Sequence, residues 1–264
     1  MTQQNHLKNR APDELLCSLL LGFNFLFFTG LLAFMLMQPL KAALLNSDTD
    51  HGDAHAATEE GHATEVHAAA GDVEAITQAS AGQAAYALCA TCHGAEGEGN
   101  AALNGPALAG QEPWYLKRQI HKFKDGVRGT HAGDIYGMQM RPMAMTLQSD
   151  EQIDVVAEYI ASLPVVQPAA TLGGDVAKGK AGYMLCQACH GADAEGNKAM
   201  NAPSLQALPD WYIVTQLKNY KSGVRGTHAK DIEGMQMRPM AMTIADEAAM
   251  ADLAAYINSK ATAK

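Results

Sequence analysis

"LCATCHG" occupies residues 88–94, and "LCQACHG" occupies residues 185–191. Each places two cysteines three apart, with a histidine directly after the second. C-x-x-C-H is the signature of covalent haem attachment. Two thiols one helical turn apart reach the two vinyl groups on one edge of a porphyrin, and the next residue projects beneath the ring towards the iron. The rival chemistries fit less well. A structural zinc asks for four ligands in a tetrahedron, and each group is one short. A thioredoxin-like redox pair asks for a βαβ context, which is missing. A disulfide across two residues leaves the histidine without a reason. Cys89, Cys92, Cys186 and Cys189 therefore read as thioether positions, and His93 and His190 as iron ligands, for two covalently bound haem c groups.

The two motifs lie 97 residues apart, and the same offset relates the sequence on either side of them. Pro106 matches Pro203, Trp114-Tyr115 matches Trp211-Tyr212, and Tyr159-Ile160 matches Tyr256-Ile257. The chain is a tandem repeat, with one unit expected over residues 74–166 and the next over 167–264. Between them "SLPVVQPAATLGG" stops one helix with proline and opens the next unit with glycine. Each unit reads as helical. "AITQASAGQAAYALC" is a helix that delivers the first cysteine. "EPWYLKRQIHKFKDG" is amphipathic, with Pro113 in its first turn and Gly126 at its end. "SDEQIDVVAEYIASL" carries a capping box, Ser149 with Gln152, and a stripe of Ile153, Val156, Ala157 and Ile160. At the second unit's cap the reading places Ala245, with Asp246 or Thr243 as substitutes. Tyr86 with Tyr159, and Tyr183 with Tyr256, are expected to pack the first helix of each unit against the last.

"GMQMRPMAMT" is written twice without a change, at 137–146 and 234–243, and holds eight of the 14 methionines. Interior filler drifts between copies, so identity asks for a further reason. A low-spin electron-transfer haem needs a sixth ligand, and Met/His ligation raises its potential. The stretch reads as a loop before the last helix of each unit, and supplies one methionine to each iron. Composition alone leaves open which of the four.

"GQAAYALCATCHG", "GQEPWYLKRQI" and "MRPMAMTLQSDEQIDVVAEYI" resemble a class I cytochrome c domain. Two such domains in tandem resemble the dihaem cytochrome c4 family, over about residues 75–260. The resemblance implies an all-α fold, His/Met-ligated haems and periplasmic electron transfer towards terminal oxidases. In that family the axial methionine lies seven residues before the Leu preceding the last helix. That count implies Met140 for haem 1 and Met237 for haem 2, with Met143 and Met240 as alternatives. Met138, Met145, Met235 and Met242 are then expected near the porphyrin. Arg128, Arg141, Arg225 and Arg238 are candidates for haem propionates, since guanidinium suits carboxylate. Trp114 and Trp211 are candidates through the indole N–H, with core packing as the alternative. One departure is "RGTHAGDIYG" before the first methionine stretch. His131 and His228 within these inserts are expected to cap a turn or lie at the surface.

N-terminal to the repeat, "LLCSLLLGFNFLFFTGLLAFMLM" at 15–37 is uncharged and long enough to cross a bilayer. It is too long for a signal-peptide core and has a poor cleavage site after it. The expectation is a cytoplasmic N-terminus (1–14), an uncleaved anchor (15–38), and a flexible acidic, His-rich linker (39–73). The orientation follows from Lys8 and Arg10 before the span. Within residues 46–73 there are seven acids and no Lys or Arg, which suits a solvated tether. The net charge of −9 carries no basic nucleic-acid footprint.

These readings converge on a fold class of two tandem class I cytochrome c domains behind one transmembrane helix and a linker. The expected function is a membrane-anchored electron shuttle in the inner membrane with its haem domains in the periplasm. Electrons would pass from a quinol-oxidising complex or a periplasmic dehydrogenase to a haem–copper oxidase or similar acceptor. The alternatives are an integral subunit of a larger respiratory complex, or a dihaem peroxidase or sulfur-compound oxidoreductase. Such an enzyme needs an open iron position or a different sixth ligand, and both stretches offer Met in the same frame, which argues against it; no nucleophile–base constellation is present either.

Overall fold

A computed structural model describes residues 70–260 of the chain. The expected N-terminus, the anchor and the linker up to residue 69 lie outside the described residues. Among those described, no helix is long and apolar enough to cross a membrane. The fold is helical, with isolated bridges (Asn100 with Gly105, Asn197 with Ala202) in place of strands.

The first domain comprises α1 (Ala70–His93), α2 (Pro113–Lys124), α3 (Ile135–Met145) and α4 (Asp150–Ser162). The second comprises α5 (Val176–Tyr183), the single turn α6 (Gln187–His190), α7 (Asp210–Lys221), α8 (Ile232–Met242) and α9 (Glu247–Ser259). First and last helices cross in each domain, α1 on α4 and α5 on α9. Glycine makes that crossing close. A Cβ on Gly82 would lie 2.5 Å from the carbonyl oxygen of Val155, and one on Gly179 would lie 1.9 Å from that of Asp252. One turn further on, the expected tyrosine pairs meet: Tyr86 with Tyr159 at 5.6 Å between ring centroids, and Tyr183 with Tyr256 at 5.3 Å.

The expected stripe on α4 is buried throughout, and with Leu116, Ile120 and Phe123 of α2 and with Tyr86 it forms the first core. Ile213, Val214 and Leu217 pack against Met250, Leu253, Ala254 and Ile257 in the second. At the start of α4, Ser149 Oγ accepts from the Gln152 N–H as expected, but the Gln152 side chain accepts from the Gln148 N–H rather than closing the box on Ser149. The cap of α9 is Asp246, which accepts from the Ala249 N–H at 2.9 Å. Asp246 is also the residue 97 positions after Ser149, so Ala245 was the wrong match and the second helix is no less well capped.

Two further differences from the sequence reading stand out. The methionine stretch is not a loop: it forms most of α3 and α8, with Pro142 and Pro239 inside the helices. An interior proline forfeits one hydrogen bond, and the helix runs through it in both domains. The signal for a helix was Asp134 and Asp231, whose carboxylates cap these helices by accepting from the Gly137 and Gly234 N–H groups. The domains also differ at the haem motif. α1 runs unbroken to His93, whereas the second domain breaks into turn at Met184–Cys186. In the first domain a Cβ on Gly105 would lie 1.8 Å from the Cys92 carbonyl. The second domain has Ala202 at that position, so its motif backbone cannot approach as closely.

The two domains form one compact unit. Gln111 donates to the Ser204 carbonyl at 3.1 Å, and Gln167 to that of Asn258 at 3.2 Å. At the join, the Asp210 carboxylate accepts from the N–H groups of Thr171 and Leu172 and from the Thr171 hydroxyl.

Candidate haem sites

Each histidine of the motif ends its helix, is 8% exposed, and is oriented by a backbone carbonyl. His93 Nδ1–H donates to the Pro106 carbonyl at 2.7 Å, and His190 Nδ1–H to the Pro203 carbonyl at 2.9 Å. A carbonyl only accepts, so the proton sits on Nδ1 and the Nε2 lone pair is left for a metal. Burial holds both imidazoles below their ordinary pKa, against the opposing pull of the carbonyl, so the neutral, ligating form prevails. The loop after each motif brings the proline there. Gly99 N–H donates back to His93, Gly196 N–H donates back to His190, and Asn100 closes on Gly105 as Asn197 closes on Ala202.

The two cysteines before each histidine make no disulfide: Cys89 and Cys186 are half-buried, and Cys92 and Cys189 are exposed. In the second domain all three motif residues line one cleft that opens to solvent. Met237 and Met240 line it from the side of α8, and Leu205, Leu217 and Ile257 contribute apolar wall. Helical periodicity explains which methionines point inwards. Residues three apart share a face, so Met237 and Met240 go together, as do Met140 and Met143 in α3. Met140 and Met237 also pack on their domain cores. Met138, Met145, Met235 and Met242 fall on the opposite face and are 40–55% exposed, and the last two do not line the cleft. The expectation that they pack near a porphyrin rested on reading a loop, and is corrected here.

The arginines show the strongest mark of a missing partner. Arg128 donates to Gln119 at 2.6 Å and lies over the Phe123 ring, and Arg225 repeats this with Gln216 at 2.5 Å and Tyr220. Yet the Nε atoms of Arg128, Arg141, Arg225 and Arg238 are all buried without a hydrogen-bond partner. Buried guanidinium donors left unpaired at four repeat-related positions fit acidic groups of a ligand, such as propionates. Arg225 lines the cleft, whereas Arg238 does not and lies against Gly223 and Gly226. The tryptophans do not fit that role. Trp114 donates its indole N–H to Glu112 at 2.7 Å, and Trp211 is not among the cleft-lining residues. His131 and His228 cap turns at the surface, accepting from the Gly133 and Lys230 N–H groups.

Sequence reasoning missed Gln119, Gln216, Tyr115 and Lys122. The first two are a 97-residue match beside the arginines, a signal that was there to be used. Tyr115 and Lys122 belong to the first domain yet line the cleft of the second. Burial, together with Tyr212, pushes the Tyr115 phenol up to about 12, so it stays neutral.

The cytochrome c family pattern matches residues 79–164 and again 176–261. The chain belongs to the cytochrome c family. It is 32% identical over 197 residues to a thiosulfate dehydrogenase electron acceptor of Stutzerimonas stutzeri, spanning 70% of this chain and 86% of that protein. It is 33% identical over 177 residues to cytochrome c4 of Pseudomonas aeruginosa, spanning 63% and 82%. Among solved structures, reduced cytochrome c4 from Pseudomonas stutzeri superposes with a TM-score of 0.53 at 27% identity, covering 68% of this chain and 97% of that one. Thiosulfate dehydrogenase from Marichromatium purpuratum gives 0.55 at 28% identity, covering 69% and 40%. This cytochrome is of the dihaem c4 type: two tandem domains, two covalently bound haem c groups, and the role of an electron carrier rather than an enzyme.

Proposed function

We propose that this cytochrome is a membrane-anchored shuttle that passes single electrons between periplasmic or membrane-bound dehydrogenases and a terminal oxidase. The observation that carries this is the doubled arrangement of a carbonyl-oriented histidine and a methionine-bearing helix. In the second domain both face one cleft. In this reading Cys89 and Cys92 hold haem 1 and Cys186 and Cys189 hold haem 2. His93 with Met140, and His190 with Met237, hold the two irons, with Met143 and Met240 one turn away as alternatives. Arg128 and Arg141, and Arg225 with Arg238, take the propionates. The haem supplies a one-electron couple whose potential follows from its ligands, burial and hydrogen bonds. The chain's part is to fix the histidine tautomer, wall the cleft with apolar side chains, and hold both ligands against exchange.

The partner class is supported by the relatives. Two of them are thiosulfate dehydrogenase electron acceptors, so a sulfur-compound dehydrogenase joins the quinol-oxidising complex as a donor class. The uncharged stretch at 15–37 and the positive residues before it support an inner-membrane anchor with the domains in the periplasm. The solvated tether would keep them at high local concentration beside membrane partners.

A ferrous absorbance spectrum before and after carbon monoxide tests the reading. No change means that both irons are capped. A shift means that one is open, which overturns the shuttle and favours the peroxidase or sulfur-oxidoreductase alternative. A second reading, a fixed subunit of an oxidase, is favoured by 34% identity over 157 residues to the cbb3-type cytochrome c oxidase subunit FixP of Sinorhizobium medicae, spanning 55% of this chain and 52% of that one. Co-purification of oxidase subunits in mild detergent would select it.

A further inference from the structure

The seam between the domains carries one cluster of charges that the haem sites do not account for. Lys122 of α2 reaches across it, and its Nζ donates to Asp231 Oδ1 and Glu233 Oε2, both at 2.6 Å. Arg118, one turn earlier on α2, pairs with Glu233 at 3.1 Å. The Lys122 side chain is 11% exposed and that of Asp231 2%. Burial works against the Asp231 carboxylate, but the hydrogen bond and charge of Lys122, with Arg225 nearby, hold it below its ordinary pKa. The pair is ionic, and Lys122 and Glu233 line the same cleft as His190 and Met237.

The 97-residue repeat makes the cluster informative. Asp231 corresponds to Asp134, and each caps the helix that carries the ligand methionines. The other members have no counterpart: Lys122 corresponds to Asn219, Arg118 to Thr215, and Glu233 to Tyr136. Asp134 is also at the seam, since a Cβ on its neighbour Gly133 would lie 3.1 Å from Val224 Cγ2. It is buried, yet among the described residues it has no ion-pair partner. Two equivalent carboxylates therefore sit at the caps of two ligand-bearing helices, one neutralised from the opposite domain and one not.

We propose that Lys122 is a positioning residue for haem 2, supplied by the first domain, which neutralises Asp231 at the cap of α8 and holds the potential of haem 2 up, while haem 1 has no such support. The inference rests on the ligand assignment proposed above. Its physical basis is that a nearby buried negative charge favours ferric over ferrous iron, and a paired one does so far less. Haem 2 is then sensitive to how the domains dock, and haem 1 is not.

The test is a redox titration of the full-length, haem-loaded chain, resolved into two one-electron steps. Lys122→Asn installs the residue that the second repeat carries. It should move one step down by about tenfold in the ferrous-to-ferric ratio, about 59 mV for one electron, and leave the other in place. Adding Asp231→Asn, which keeps a cap acceptor but removes the charge, should return that step towards its original position. Asn219→Lys, which gives the second repeat the residue that the first carries at Lys122, should raise the other step. Steps that stay put in Lys122→Asn, or that fall together, overturn the proposal. So does a failure of Asp231→Asn to rescue, because a merely structural lysine would not be rescued by removing its partner's charge. Small-angle scattering on each variant shows whether the domains remain docked, and a shift of one step at unchanged dimensions is the supporting result. If fewer than two one-electron steps are seen in the unmodified chain, the ligand assignment has failed and not this inference.

Discussion

His93 Nδ1–H donates to the carbonyl of Pro106 at 2.7 Å, thirteen residues further along the chain. The same bond joins His190 to Pro203 at 2.9 Å. Everything proposed for the irons depends on this orientation, because it leaves one ring nitrogen, Nε2, free to ligate. The sixth position is then a question of which methionine faces that nitrogen across the cleft.

Met140→Ala should open the iron of the first domain, so the ferrous chain would bind one carbon monoxide. Met143→Ala, on the same helical face but not packed on the core, should bind none. Met138→Ala should also leave the spectrum alone, since Met138 lies on the outer face and is 41% exposed. Carbon monoxide titration monitored by absorbance gives the stoichiometry. Binding by the Met143 variant and not the Met140 variant would reverse the assignment.

Arg128 should be worth more to the haem-loaded protein than a surface arginine. Its Nη1 bonds to Gln119 while its buried Nε has no protein partner. If a propionate takes that donor, Arg128→Met loses a charge-assisted bond of about 1.5–3 kcal/mol. Arg128→Lys should recover little, because an ammonium lacks the planar fork. Thermal unfolding of both variants measures this, and equal stability of the arginine and methionine forms would remove Arg128 from the propionate site.

Much of this was legible in the sequence, and for local reasons. C-x-x-C-H, the stripe on α4 and the cap at Ser149 all involve residues within a turn or two of each other. The repeat doubled each signal. The error over the methionine stretch was also local: it turned on Asp134, the cap three residues before Gly137, which makes the stretch a helix. The helix then sorts the methionines into an inner and an outer pair, which a loop cannot do. The seam was beyond reach for a different reason. Lys122 and Asp231 are 109 residues apart, and no pattern within either repeat signals a contact that breaks the repeat's own symmetry.

Gly82→Ala tests the helix crossing against helix propensity. In an isolated helix the change gains about 1 kcal/mol. Here the added methyl would lie 2.5 Å from the Val155 oxygen and 2.6 Å from Tyr159 Cβ, both fixed by α4. Overpacking of that kind costs about 1–3 kcal/mol. The variant should therefore be less stable in denaturant unfolding, with Gly179→Ala behaving alike. A gain in stability would mean that the two helices separate easily.

Asp210 ties acid stability to the join between the domains. Burial opposes its ionisation, but hydrogen bonds from the Thr171 hydroxyl and from the Thr171, Leu172 and Trp211 N–H groups hold its pKa below the ordinary 3.8. A carboxylate with a depressed folded-state pKa stabilises fully above its unfolded value. That contribution fades as the pH falls below 3.8 and through the folded value. Asp210→Asn cannot titrate, and its amide can accept at one atom only, so it should be less stable at pH 7 and lose less on acidification. Comparing unfolding free energies of the two proteins between pH 7 and pH 2 measures the difference. The curves should converge at the acid end. Parallel curves across that range would mean that Asp210 is protonated, or equally well solvated, in both states, and that Thr171 and Leu172 are held by something other than its charge.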